Sequence, residues 1–267
     1  MNLAMIVVLT ILLAITARQW LVLRGRQRQR GLFRRWPIST IGVEALDARF
    51  VPDELGVTRL AEVTYLGRGT IRVPGGTSDT EAWILAVLAK DARTLFEFGT
   101  CTGKTSYLWA RNQPPGGTVT TLTLDPGRLD QYQAVAGDDG TAEAYAKEES
   151  RFTSFRYTGT EVEGRVVQLF GDSKHFEDLP YAGTCDVVFV DGSHAYSYVV
   201  SDSAKALRMV RPGGLVLWHD YSPECRGVFR ALNEMAARLP MVQVRGTTLV
   251  AHRSGPAGDR EPPGRVR

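Results

Sequence analysis

The spacing of hydrophobic and polar positions divides this chain into three stretches. Met1–Ala17 is uncharged and mostly Leu, Ile, Val, Ala and Met, and the apolar character resumes at Trp20–Leu23 after Arg18. From Trp36 to Thr77 no period holds. Pro37, Pro52, Pro74 and the Gly75-Gly76 pair mark a linker that packs partly on the body. From Ser78 onward, short apolar runs alternate with helical patterns. Ser78 and Glu81 stand at capping-box spacing before the helical pattern of Ala82–Ala89. The strand candidates are Thr94–Phe98, Thr118–Leu124, Arg165–Phe170, Cys185–Val190 and Gly214–Trp218, and the helical ones include Lys104–Arg111, Ala195–Met209 and Cys225–Leu239.

Apolar strands between helices predict a parallel sheet covered on both faces. Two β-prone runs in Met241–Ala251, around Arg245-Gly246, predict a closing hairpin. The expected fold is α/β: a doubly wound, mostly parallel seven-stranded sheet with a C-terminal antiparallel hairpin. Asp130–Gly164 is long and polar and predicts an insertion with one helix near Thr141–Ser150, either a cover for an active site or a surface loop. Ser254–Arg267, rich in Pro, Gly and Arg, has no packing pattern. The expected domains are an anchor at 1–23, a basic juxtamembrane segment and linker at 24–77, a catalytic domain at 78–253 and a tail at 254–267.

Charge changes the picture at the N-terminus. Residues 1–35 hold seven arginines and no acid. A bilayer core calls for about 20 residues of helix, which Met1–Leu23 reaches if Arg18 snorkels and Trp20 lies at the interface. A cleavable signal peptide would carry Lys or Arg before the apolar run, and Met-Asn-Leu has neither. The expectation is therefore a single-pass transmembrane helix with the catalytic domain in the cytoplasm, because the positive charge follows the span. The rest of the chain has 25 basic against 29 acidic residues, a poor match for nucleic acid. Cys101, Cys185 and Cys225 form no CxxC pair, which argues against a disulfide framework.

The chemistry concentrates at Gly99-Thr-Cys-Thr-Gly-Lys-Thr105, a glycine loop between a strand and a helix. Such loops bring backbone N–H groups up to a nucleotide-like ligand. A phosphate loop is one reading, with Cys185–Asp191 as its acidic partner strand. It requires four residues between its glycines, and here there are three. The other reading starts from Glu97-Phe-Gly99-Thr-Cys-Thr-Gly103. With Asp125 after the second strand, Gly171-Asp172-Ser173 after the third, Asp191-Gly-Ser-His194 after the fourth, and Arg211-Pro-Gly-Gly214 and Trp218-His219-Asp220 around the fifth, this order resembles class I S-adenosylmethionine-dependent methyltransferases. The pairing of Asp-Gly-Ser-His with Trp-His-Asp-Tyr is similar to their small-molecule O-methyltransferase branch. The resemblance covers about Ser78–His252.

The resemblance implies S-adenosylmethionine bound by Glu97, Gly99, Thr100, Gly103, Asp125, Asp172, Ser173 and Asp191. Asp125 would accept from the ribose hydroxyls and Asp172-Ser173 would contact the adenine. Asp191 and His194 become the catalytic pair, with His194 as general base. Asp191, His219 and Asp220 fall on the ligand positions of a divalent metal; a histidine there departs from the all-oxygen pattern and disfavours Mg²⁺. The structural roles that compete are helix capping by His194 and Asp220. The expected activity is methyl transfer to a hydroxyl of a small-molecule acceptor, or of a lipid-linked one if the anchor forms. A phosphate-loop nucleotide hydrolase and a non-catalytic scaffold are the alternatives.

Overall fold

A computed structural model describes residues 5, 9–21, 38–53 and 76–255. Residues 1–37 and 38–267 form separate compact units. In the first, residues 9–21 are helical and exposed. Arg18 lies inside that run. No helix among the described residues is long and apolar enough to cross a membrane. This overturns the expected transmembrane helix and, with it, the single-pass localisation and membrane partner inferred from it. The basic run at 24–35, most of the linker (54–75) and tail residues 256–267 lie outside the described residues.

The second unit is built on one mixed sheet with eight strands among the described residues, in the order β1-β7-β8-β6-β5-β2-β3-β4. The strands are β1 (Ser39–Ile41), β2 (Thr94–Phe98), β3 (Thr118–Thr123), β4 (Val166–Phe170), β5 (Cys185–Val190), β6 (Val210–Trp218), β7 (Val242–Val244) and β8 (Val250–Arg253). The expected count was seven. The eighth is β1, from the stretch read as linker, and it pairs parallel to β7. β8 is antiparallel to both β6 and β7, so the hairpin's antiparallel strand lies inside the sheet.

The helices are α1 (Asp79–Ala89), α2 (Lys104–Asn112), α3 (Gly140–Glu149), α4 (Tyr196–Met209) and α5 (Arg226–Ala236). α1 begins at the capping box read from the sequence: the Ser78 hydroxyl accepts from Glu81 N, and Glu81 accepts from Ser78 N. Burial of Leu85, Leu95, Trp109, Val187, Phe189 and Leu217 forms the core between sheet and helices. It holds the strand ends in fixed register.

Candidate active site

Three parallel strands end side by side, and their hydrogen-bond ladder runs one step past each. Gly99 N donates to Leu122 O (2.8 Å), Asp191 N to Phe98 O (2.9 Å) and His219 N to Val190 O (3.2 Å). One sheet edge therefore carries Glu97, Gly99, Asp191, His219 and Asp220. From the neighbouring strands β2 and β5 the chain builds the sheet outward in opposite spatial directions, to β3 and β4 on one side and to β6 on the other, which opens the crevice where such folds place ligands. Gly99 makes the closest approach there: its φ is +101°, and a Cβ would stand 2.0 Å from Asp191 O. Cys101, at φ +46°, and Asp220, at φ +58°, occupy left-handed backbone without being glycine, a strain that clusters at functional sites. Burial pushes the Cys101 thiol up to about 12, so it is a packing group and not a nucleophile.

The loop closes with Gly103 N donating to Thr100 O at 2.7 Å, and α2 begins at the next residue. Lys104 is buried, and its Nζ donates to the Thr77 carbonyl at 2.9 Å. A phosphate loop needs that ammonium on the ligand, so the hydrolase reading fails here.

A cavity of about 330 Å³ lies over the loop, lined by Gly99, Thr100, His194, His219 and Asp220 among others. His194 Nε2 is 2.9 Å from Asp220 Oδ2, and the ring also hydrogen-bonds Cys225. Burial alone would lower His194, but these partners push it up to about 11. It therefore keeps its proton at neutral pH, contrary to the ordinary histidine value that made it a base there. His219 is 8% exposed and stands among three carboxylates. Its Nδ1 is 3.0 Å from Asp191 and 3.2 Å from Asp220, and its Nε2 is 3.3 Å from Glu81. Burial opposes its charge, yet Asp191 first and then Asp220 and Glu81 hold it well above the usual value. Glu97 is buried, with Oε2 accepting from Ser106 (2.5 Å) and Thr121 (2.7 Å). Burial raises its carboxyl to about 8, so it is neutral at pH 7.

One predicted residue, Asp125, stands apart from the others. Asp125 lines neither this cavity nor the smaller one beside it. Its Oδ1 accepts from Gly127 N at 2.8 Å, and it borders a separate cleft with Gln131 and His175. Asp172 does reach the smaller cavity, but its carboxylate is engaged by Lys174 N (2.9 Å) and Tyr198 OH (3.1 Å). Ser173, in the same cavity, donates to Asp202 Oδ2 at 3.0 Å. The other oxygen of Asp202 is buried without a hydrogen-bond partner.

Sequence reasoning missed Glu81, Glu149, Asp202 and Cys225. Glu81 was legible only as a helix cap. Asp202 and Glu149 lie inside helical patterns, where an acid carries no positional signal. Cys225 follows Asp220 by five residues, a spacing with no motif attached.

Residues 96–221 match a family described as a methyltransferase domain. No curated protein matches the chain. Among solved structures, the O-methyltransferase TomG of Streptomyces achromogenes, in complex with SAM, is 21% identical over 67% of this chain and 82% of its own, with a TM-score of 0.45. An O-methyltransferase from Bacillus cereus in complex with SAH is 20% identical over 67% and 83%, at 0.45. A methyltransferase of Podospora anserina bound to SAH is 16% identical over 68% and 80%, at 0.48. The family match agrees with the resemblance carried by the glycine loop and the strand ends.

Proposed function

We propose, from the match of residues 96–221 to a family described as a methyltransferase domain, that this chain transfers a methyl group from S-adenosylmethionine to a hydroxyl oxygen of a small-molecule acceptor. The catalytic unit is the domain at 78–253. A lipid-linked acceptor has lost its motive with the membrane span. One observation carries the reading: the glycine loop and the His194–Asp220 pair line the same cavity.

Methyl transfer from a sulfonium to oxygen needs an in-line approach and removal of the hydroxyl proton. Gly99, Thr100 and Gly103 bring the loop backbone close to the cofactor, with neutral Glu97 behind it. The nucleoside base enters the smaller cavity beside Ser173, where the unpartnered oxygen of Asp202 is an acceptor for its exocyclic amine. Asp191 and Asp220 offer carboxylates to the cationic end. His194, oriented by Asp220, takes the acceptor's proton. It does so after losing its own, which the arriving sulfonium favours by Coulomb repulsion.

The donors Asp191, His219 and Asp220 lie within 4.8 Å of one another, with Glu81 behind the histidine as an orienting carboxylate. That set fits a divalent cation, which when bound would lower the pKa of an acceptor hydroxyl. Activity that survives EDTA treatment unchanged would remove the metal from this scheme.

Calorimetric titration tests the function. S-adenosylmethionine should bind and Mg·ATP should not; the reverse result sinks the proposal. A scaffold that binds the cofactor without chemistry would show no turnover on any hydroxylated acceptor for His194→Ala to remove.

A further inference from the structure

We propose that Glu149, not Asp125, receives the ribose hydroxyls of the cofactor. The inference rests on the adenosyl reading above and asks which residue meets the middle of that ligand.

The two cavities mark the ligand's two ends. The one bordered by Ser173 and Asp202 suits the base, and the one bordered by the glycine loop and His194 suits the sulfonium. In an adenosyl sulfonium the ribose joins base to sulfur, so its hydroxyls belong at the junction. Four described residues line both cavities: Gly99, Cys101, Asp191 and Glu149. Gly99 has no side chain. The Cys101 thiol is a weak acceptor. Asp191 is engaged by His219 at 3.0 Å. Glu149 remains, and its carboxylate makes no hydrogen bond or ion pair among the described residues. Two adjacent hydroxyls can donate to the two oxygens of one carboxylate, as the acid of a dinucleotide-binding fold accepts from ribose.

Local structure brings Glu149 to the place where a strand-end acid was expected. The Thr123 hydroxyl donates to the Ser150 hydroxyl at 3.3 Å, tying the end of α3 to the last residue of β3. Asp125, two residues farther on, has already turned into the next loop, with Gly127 N on its carboxylate. Burial and then the charge of Asp191 push the Glu149 carboxyl up to about 7. That is the state of a half-buried acid lacking donors, which the hydroxyls would supply.

The test titrates full-length wild type, Glu149→Gln and Asp125→Asn with S-adenosylhomocysteine and with its 2′-deoxy and 3′-deoxy analogues. Wild type should weaken by about 10- to 100-fold when a hydroxyl is removed, the range of hydrogen bonds to a charged group. Glu149→Gln should weaken by a similar factor for the parent ligand and then lose less than threefold more on deoxygenation. Asp125→Asn should keep both the affinity and the hydroxyl dependence of wild type. Thermal melting checks that the variants fold, and Glu149→Asp should recover part of the hydroxyl dependence. If Glu149→Gln keeps the full dependence, or Asp125→Asn abolishes it, the assignment is wrong while the adenosyl reading stands. If wild type binds neither S-adenosylmethionine nor S-adenosylhomocysteine, both fall.

Discussion

The floor and the roof of the cavity over the glycine loop are held by different means. The floor is the sheet edge, where Glu97, Asp191 and His219 are backed by parallel strands and each carboxylate has a donor. The roof is α3, whose Ala142, Tyr145 and Glu149 border the same space. It is secured by an Asp139 cap, an Asp138 contact to α4 and the Thr123–Ser150 bond. The floor's acids, Glu97 and Asp191, are paired within the protein. The roof carries an acid with no partner among the described residues. A preorganised floor suits chemistry, and an incompletely paired roof suits ligand capture.

If the floor does the chemistry, removing its base should cost turnover and spare binding. His194→Ala should lower kcat by about 10²–10⁴, the range for general acid–base groups. Cofactor affinity should hold within about threefold. A loss of affinity matching the loss of kcat would make His194 a binding residue and erase the contrast. Gly99→Ala attacks the floor's geometry instead. Its Cβ would collide with Asp191 O, and the φ of +101° is strained for alanine. The expected destabilisation is about 3 kcal/mol or more, read as a fall in the denaturant midpoint at unchanged slope in denaturant titration. A variant as stable as wild type would show that the loop does not press against β5.

The same contrast explains what the sequence could disclose. Glu97, Gly99, Asp191 and His219 were legible because a parallel sheet puts whatever follows its strands at one edge; the pattern that identifies the strands also locates the residues. Strands β2 and β5 stand where the apolar runs put them, and α1 starts at its capping box. β1 was not legible: three residues in a proline-bearing stretch show no period, and β7 recruits them through backbone pairing that no side chain announces. Nor was α3, whose Ala/Glu-rich pattern says helix but not what it covers. Asp125 lies two residues past the end of β3 and borders a neighbouring cleft, a turn that the strand pattern does not announce. The apolar N-terminus misled because composition was extended across a helix that the described residues do not sustain.

A pH experiment sharpens the picture of the floor. The folded-state value of Glu97 is raised from 4.5 to about 8, first by burial. The native protein therefore holds a proton that the unfolded chain releases between these values, and this group's contribution to stability is lost as pH rises from about 4.5 through about 8. It is full below pH 4.5 and gone above 8. Glu97→Gln, which imitates the neutral acid, should remove that component, so the variant gains on wild type as pH rises across the window. Melting curves of the two proteins at four or five pH values would show it. Parallel curves would mean that Glu97 is ionised in the native floor, and the loop would then face a buried negative charge.

The smallest effect probes the roof. Asp138 accepts from Ser197 N (2.9 Å) and the Ser197 hydroxyl (2.7 Å), joining the loop before α3 to the first turn of α4. It serves α4 as a cap from outside the helix, since Ala195 at the N-cap position has no side chain to do so. Asp138→Ala should cost about 1 kcal/mol of stability. Because α3 borders the cavity and takes no part in proton removal, kcat at saturating cofactor should stay within twofold while cofactor affinity falls several-fold. Affinity unchanged in this variant would mean that α3 keeps its place without that tether. A fall in kcat at unchanged affinity would mean that roof and floor work as one unit, and the division between capture and chemistry would not hold.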